Sequence, residues 1–267
     1  MLVSLWSDDT FPLSELRILL LGYRAAGKSS AANTILGRKE FDLRRAAQCV
    51  KRQGDVAGRK VTLVEAPGWW RNYSLINTPQ LIKEEIEFSG SLCAPGPHAI
   101  LIVVRVDYSF TETHRRALEE HLGLLSETVW NHTIVLFVFG DWLGDTIIEE
   151  HIQSEGKDLQ WLVEKCGNRY HLLNCQSSGD DKQVADLLEK VEEMVAGNNK
   201  CLCKIRNGRI VELEERKRGN KEQVMKRRMM VEKQRKDCRA LMGEFTFFKL
   251  GNLLLIPKYT LNPIKNT

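Results

Sequence analysis

A chain of 267 residues, 43% hydrophobic and with a formal net charge of +4, can bury one substantial core and leaves room for one α/β domain with an appendage. No apolar run reaches the roughly 18–20 residues a membrane span needs; the closest, Leu241 to Ile256, is interrupted by Glu244 and Lys249. The start, MLVSLWSDDT, lacks the basic and long apolar regions of a secretory signal, so a soluble, cytoplasmic protein is expected. The seven cysteines (49, 93, 166, 175, 201, 203 and 238) have no Cys-x-x-Cys pair, which argues against a disulfide framework or a zinc site.

Leu16 to Leu21 is a short apolar run entering a glycine turn, and Lys28 to Leu36 reads as a helix stopped at Gly37. A hairpin is expected next, from Cys49 to Val56 and from Lys60 to Glu65, reversing at Ala57-Gly58-Arg59. The runs Ala99 to Val104, Thr133 to Phe139 and Tyr170 to Leu173 are short enough for buried parallel strands. Helical patterns over Thr111 to Leu125, Asp145 to Lys165 and Asp181 to Val195 separate them, which predicts an α/β fold with a mainly parallel sheet covered by helices on both faces.

After Gly197-Asn198-Asn199 the composition changes. Cys201 to Ala240 holds 14 Lys and Arg against 6 Asp and Glu, a local charge of +8 against −4 for the rest. The expected organisation is a domain over 16–199, a basic, helical, solvent-exposed extension over 200–240 and an apolar, proline-punctuated tail over 241–267. The basic block suits an anionic membrane surface and a peripheral location; specific nucleic-acid recognition is not expected.

The strongest signal is Gly22-Tyr23-Arg24-Ala25-Ala26-Gly27-Lys28-Ser29, which matches GxxxxGK[ST] between a predicted strand and helix. Its glycines let the backbone curl so that N–H groups from Gly22 through Ala25, Ala26, Gly27 and on to Ser30 face phosphates. Lys28 reaches the β/γ-phosphates and the Ser29 hydroxyl ligates Mg²⁺. The residues to this point leave ATP and GTP open.

The runs GKSSAANTILG, APGPHAILIVVRVDYSFTETHRRALEEHL (Ala94 to Leu122) and GDWLGDTIIEEHIQSEGKDLQWLVEKCGNRYH (Gly140 to His171) together resemble the immunity-associated, IMAP-type GTPase family over about Leu16 to Gly197. The resemblance implies a Ras-like P-loop G domain, GTP/GDP and Mg²⁺ as ligands, and nucleotide-dependent self-association as a homo-oligomer. It implies a second switch at Val64-Glu65-Ala66-Pro67-Gly68, where Glu65 stands in place of the family Asp as a metal-site residue and Gly68 offers its N–H to the γ-phosphate. Asp141 would accept from guanine N1–H and the exocyclic amine, Phe139 would cover the base, and Asn174 would be the last base contact.

Three departures point to slow hydrolysis. The Mg²⁺-binding Thr of the first switch aligns with Ala46, Glu65 is one methylene too long, and Trp69 stands where a Ras-type enzyme has its water-orienting Gln. Trp69 and Trp70 are expected to form a packing or dimer patch. Arg105, Arg115 and, beside them, Arg116 are candidates for an arginine supplied across a dimer, with His98 a further catalytic candidate whose alternative is a structural core role. The rival readings are a binding-only scaffold and, on the same core, a P-loop small-molecule kinase distinguished by ATP preference.

Overall fold

The computed structural model describes residues 13–44, 47–175, 181–205 and 210–247. Residues up to Leu213 form one compact unit, and a second begins at Glu214.

The first unit is built on six strands, β1 (Glu15–Leu21), β2 (Val50–Val56), β3 (Arg59–Glu65), β4 (Ala99–Arg105), β5 (Thr133–Val138) and β6 (Tyr170–Leu173). Their order is β2-β3-β1-β4-β5-β6. Only β2 runs antiparallel, paired with β3 from Val50–Glu65 to Val56–Arg59. The two-residue turn between them, Ala57-Gly58, has φ of 47° and 75°, the positive pair whose twist matches a tight hairpin.

The apolar runs are nearly continuous because both sheet faces are covered. Leu16, Ile18 and Leu20 of β1 pack with α1 (Lys28–Leu36) and α6 (Asp181–Gly197). Leu19 and Leu21 face the opposite side, which holds α2 (Gln80–Ser89), α3 (Glu112–Leu122), α4 (Ile148–Glu155) and α5 (Lys157–Lys165). The period of two along each strand thus divides one apolar segment between two cores.

Two elements differ from the sequence expectation. The helical pattern from Asp145 to Lys165 is split into α4 and α5 by Gly156, whose φ of 103° no helix accommodates. Helix α2 has no clean apolar stripe, because its buried residues are Glu85, Ile86 and Ser89. The Glu85 carboxylate is satisfied by accepting the Cys49 N–H at 2.9 Å, a partner far away in sequence.

The first unit also runs past the expected edge at Asn199. Cys203 is buried in the core and its N–H donates to the Pro97 carbonyl at 3.1 Å. Beyond it, α7 (Ile210–Phe247) carries a largely exposed run of side chains from Glu214 to Arg239, as expected of a solvated basic helix. Lys226–Glu222 and Lys236–Glu232 are i,i+4 pairs at 2.8 and 3.5 Å, each contributing a few tenths of a kcal/mol. The apolar tail at 248–267 lies outside the described residues. Among those residues no helix is long and apolar enough to cross a membrane.

Candidate functional site

All parallel strands end at one edge of the sheet, and the loop from Gly22 to Ser29 leaves β1 there. Gly22 has φ 149°, and a Cβ on it would lie 2.9 Å from the Val103 carbonyl oxygen. Gly27 has φ 97° and would drive a Cβ to 3.0 Å from Val138 and 3.2 Å from Phe139. Both positions therefore demand glycine for conformation and for space.

Lys28 begins α1 and turns back into its own loop, donating from Nζ to the Gly22 and Tyr23 carbonyls at 3.1 and 3.0 Å. Burial lowers its pKa to about 8, with the Glu65 carboxylate opposing that shift. The Ser29 hydroxyl donates to Glu65 Oε1 at 2.8 Å. Glu65 ends β3, and the parallel pairing of Leu20 with Glu65 carries its carboxylate to the loop. Burial raises the Glu65 pKa, while Lys28 and the Ser29 hydrogen bond lower it. A cavity of about 390 Å³ lies against Gly27, Lys28, Ser29, Glu65 and Gly68. Gly68 is so close to the Tyr23–Arg24 backbone that a Cβ would sit 2.6 Å from Arg24 N. The Arg24 N–H closes this contact by donating to the Trp69 carbonyl at 2.7 Å.

Asp141 lies in a 3-10 turn, Gly140–Leu143, directly after β5, and Asn174 follows β6. The register Val138–Leu173 brings both to the same sheet edge as the loop, although neither lines the 390 Å³ cavity. Asn174 is held by Gln183, donating its N–H to Oε1 at 2.7 Å and accepting from Nε2 at 3.2 Å. The adjacent Cys175 thiol is pushed up by burial, opposed by a hydrogen bond to Thr34, and the Asp141 carboxylate adds to the rise. Phe139, in left-handed backbone at φ 64°, forms the wall between this end and Gly27.

The arginine and histidine candidates separate. Arg105 reaches the loop, donating to the Ala25 carbonyl at 3.2 Å, but its charge is engaged by Asp107 at 2.8 and 2.6 Å. Its guanidinium also lies 4.4 Å from the centroids of both Tyr108 and Phe139, so it clamps the loop in place. Arg115 pairs with Asp158 at 2.9 Å and covers the Trp161 ring, joining α3 to α5 away from the loop. Arg116 is paired with Glu112 on the same helix at 2.5 Å. His98 is at the entry end of β4, opposite the loop, where its Nδ1 accepts the Arg17 N–H at 2.9 Å. Burial, then the Arg17 charge, lowers its pKa to about 4. The structure gives His98 and Arg115 packing roles and does not bring either to the loop.

The expected tryptophan patch is corrected to a single residue. Trp69 is 3% exposed and stacks on His121 at 4.4 Å between centroids and 10° between planes; Trp70 is 44% exposed. His121 Nε2 also meets Thr78 Oγ1 at 2.8 Å. Asn72 Oδ1 meets His114 Nε2 at 2.8 Å, and the Leu75 N–H donates to Glu120 at 2.5 Å. Four contacts thus pin the segment after Gly68 onto α3. Sequence reasoning missed His114 and His121; the Thr111-x-x-His114 cap, with the Thr111 N–H donating to Nδ1 at 2.9 Å, was the one local signal. Ala46 lies outside the described residues.

A phosphate-type loop at the carboxyl edge of a mostly parallel sheet ordered β2-β3-β1-β4-β5-β6 defines the α/β class of P-loop G domains. The solved structure of Toc33 from Arabidopsis thaliana in complex with GDP and Mg²⁺ shares the fold with a TM-score of 0.56 at 14% identity, over 72% of this chain and 87% of that one. The AIG1 family model matches residues 16–224, and the chain belongs to that family. Human GTPase IMAP family member 8 is 32% identical over 198 residues, 71% of this chain and 28% of that protein. Immune-associated nucleotide-binding protein 12 of Arabidopsis thaliana is 31% identical over 68% of this chain and 48% of its own length. The chain therefore spans about a quarter of the first relative and half of the second, and the family resemblance read from its motifs is borne out.

Proposed function

We propose that this protein binds GTP and GDP with Mg²⁺ at the Gly22–Ser29 loop, hydrolyses GTP slowly and self-associates through its G domain. The observation that carries the reading is the convergence of Lys28, Ser29, Glu65 and Gly68 on one cavity. Curved backbone, a buried cation and a helix N-terminus meet there, as phosphate binding requires. Mg²⁺ fits the donor set, because a hydroxyl and a carboxylate oxygen lie 2.8 Å apart and both are hard ligands. Ser29 would hold the ion directly and Glu65 through water; when bound, the ion neutralises phosphate charge.

Asp141 is assigned the guanine edge and Asn174 a supporting contact. Slow turnover follows from Trp69, whose stacked indole has an N–H donor but no acceptor oxygen, and so cannot both donate to and accept from an attacking water as a Gln amide does. That same placement favours a second reading, a nucleotide-binding scaffold without useful hydrolysis. Self-association is supported by the exposed Trp70, Tyr73 and Tyr108, since exposed aromatics mark interfaces. The basic helix α7 is assigned to an anionic membrane surface, at up to about 1 kcal/mol per basic residue near it.

Affinities for GTP, GDP and ATP, each with and without Mg²⁺, test the reading. Lys28→Ala is expected to lose about 2–4 kcal/mol of nucleotide affinity, the scale of a desolvated charge contact, and unchanged binding refutes the site. Asp141→Asn should shift preference from guanine to xanthine nucleotides. A preference for ATP would point to a kinase instead, and phosphate release in a single-turnover assay separates the slow GTPase from the scaffold.

A further inference from the structure

Arg24, the third residue of the loop, is one of two arginines, with Arg44, that line the cavity among the described residues. Its guanidinium lies 4.0 Å from the centroid of the Trp70 ring, and Arg24 and Trp70 both line the cavity that contains Lys28, Ser29 and Gly68. Two arginines near the loop but outside that lining are committed elsewhere, Arg105 to Asp107 and Arg71 to the Ser109 carbonyl and the rings of Tyr23 and Tyr108, while Arg44, the second lining arginine, is exposed beside Asp42. Among the described residues Arg24 has no ion-pair partner.

The direction in which Arg24 leans distinguishes it from the rest of the loop. The Ala25 carbonyl is taken by Arg105 and Gly27 is covered by Phe139, both on the side of Asp141. Arg24 faces the other way, toward Trp69 and Trp70, held there by its N–H and by its side chain. A chain of phosphates laid from the Asp141 side past Lys28 ends at Gly68 and Arg24. A cation resting on a half-exposed ring is weakly held, and a terminal phosphate offers the same cation charge-assisted hydrogen bonds in a fork geometry suited to arginine.

We propose that Arg24 distinguishes nucleoside triphosphate from diphosphate by leaving the Trp70 ring for the terminal phosphate, which frees Trp70. The proposal deepens the nucleotide reading above and rests on it. It is tested on the full chain by calorimetric titration with Mg²⁺-GDP and with Mg²⁺-GMPPNP, alongside tryptophan emission of the native protein and a Trp70→Phe variant. Arg24→Ala is expected to weaken GMPPNP about tenfold while GDP changes less than twofold, and Arg24→Lys to recover part of the loss. Trp70→Leu, which removes the resting place, should strengthen GMPPNP selectively. GMPPNP but not GDP should change native emission, and the change should vanish in Trp70→Phe. Equal losses for both nucleotides in Arg24→Ala, or no loss for either, overturns the proposal even where native binding is tight. Failure of the native chain to bind any guanine nucleotide overturns the underlying reading, and this inference with it.

Discussion

The Ser29 hydroxyl donates to Glu65 Oε1 at 2.8 Å, linking the start of α1 to the end of β3 through the two side chains assigned to the metal. Glu65 also moderates the loss of charge on Lys28, so one carboxylate serves a hydroxyl and a cation together. Glu65→Ala is expected to abolish most of the Mg²⁺-dependent gain in nucleotide affinity, about tenfold or 1.4 kcal/mol. Comparing GDP titrations in Mg²⁺ and in EDTA for native and variant proteins checks this; an undiminished Mg²⁺ effect would remove Glu65 from the site.

Lys28 gives a pH signature. Its pKa in the fold is about 8 against an ordinary 10.5, so between those values the unfolded chain holds a proton that the folded chain has released. Stability of the nucleotide-free protein should therefore rise with pH from about 8 to about 10.5, by up to about 3 kcal/mol from this group. Below about 8 the full penalty of the buried charge remains. Denaturant unfolding of native and Lys28→Met proteins across that range isolates the effect, and parallel curves would contradict it.

The two adjacent tryptophans should differ in the stability they lose on truncation. Trp69→Ala removes a buried indole stacked on His121 and is expected to cost about 3–5 kcal/mol of folding stability. Trp70→Ala removes a half-exposed ring and should cost less than about 1 kcal/mol. Thermal melts of the two variants decide it, and similar losses would mean that Trp70 is part of the core.

The basic extension should be separable only beyond Leu213. Cys203 is buried with the core, Leu213 is 4% exposed, and a Cβ on Gly90 would strike the Ile205 side chain at 2.6 Å, so the chain to Leu213 belongs to the first unit. Truncation after Asn199 should destabilise that unit by roughly 2–3 kcal/mol, the scale of one or two lost apolar side chains. Truncation after Leu213 should keep native stability and nucleotide affinity while losing association with anionic liposomes. Equal melts for the two truncations would show that 200–213 contributes nothing.

Sequence alone determined the parts whose causes are local. The apolar runs of β1, β4 and β5, the hairpin turn at Ala57-Gly58, the Gly22–Ser29 loop and the membership of the AIG1 family were all legible, because glycine conformation, strand period and motif spacing act over a few residues. The tertiary structure decided what depends on a distant partner. Trp69 went to the core because His121 offered a stacking face, while Trp70 next to it met only the surface partners Arg24 and Tyr73. Arg105 and Arg115 met Asp107 and Asp158, which engaged charges that the chain by itself leaves free. His98 was placed at the opposite end of β4 from the loop by the parallel direction of the strand, and Glu85 was buried because Cys49 supplied a donor from 36 residues away. A buried charge or ring is stable only with a partner, and partners are assigned by the packing of the sheet and its helices.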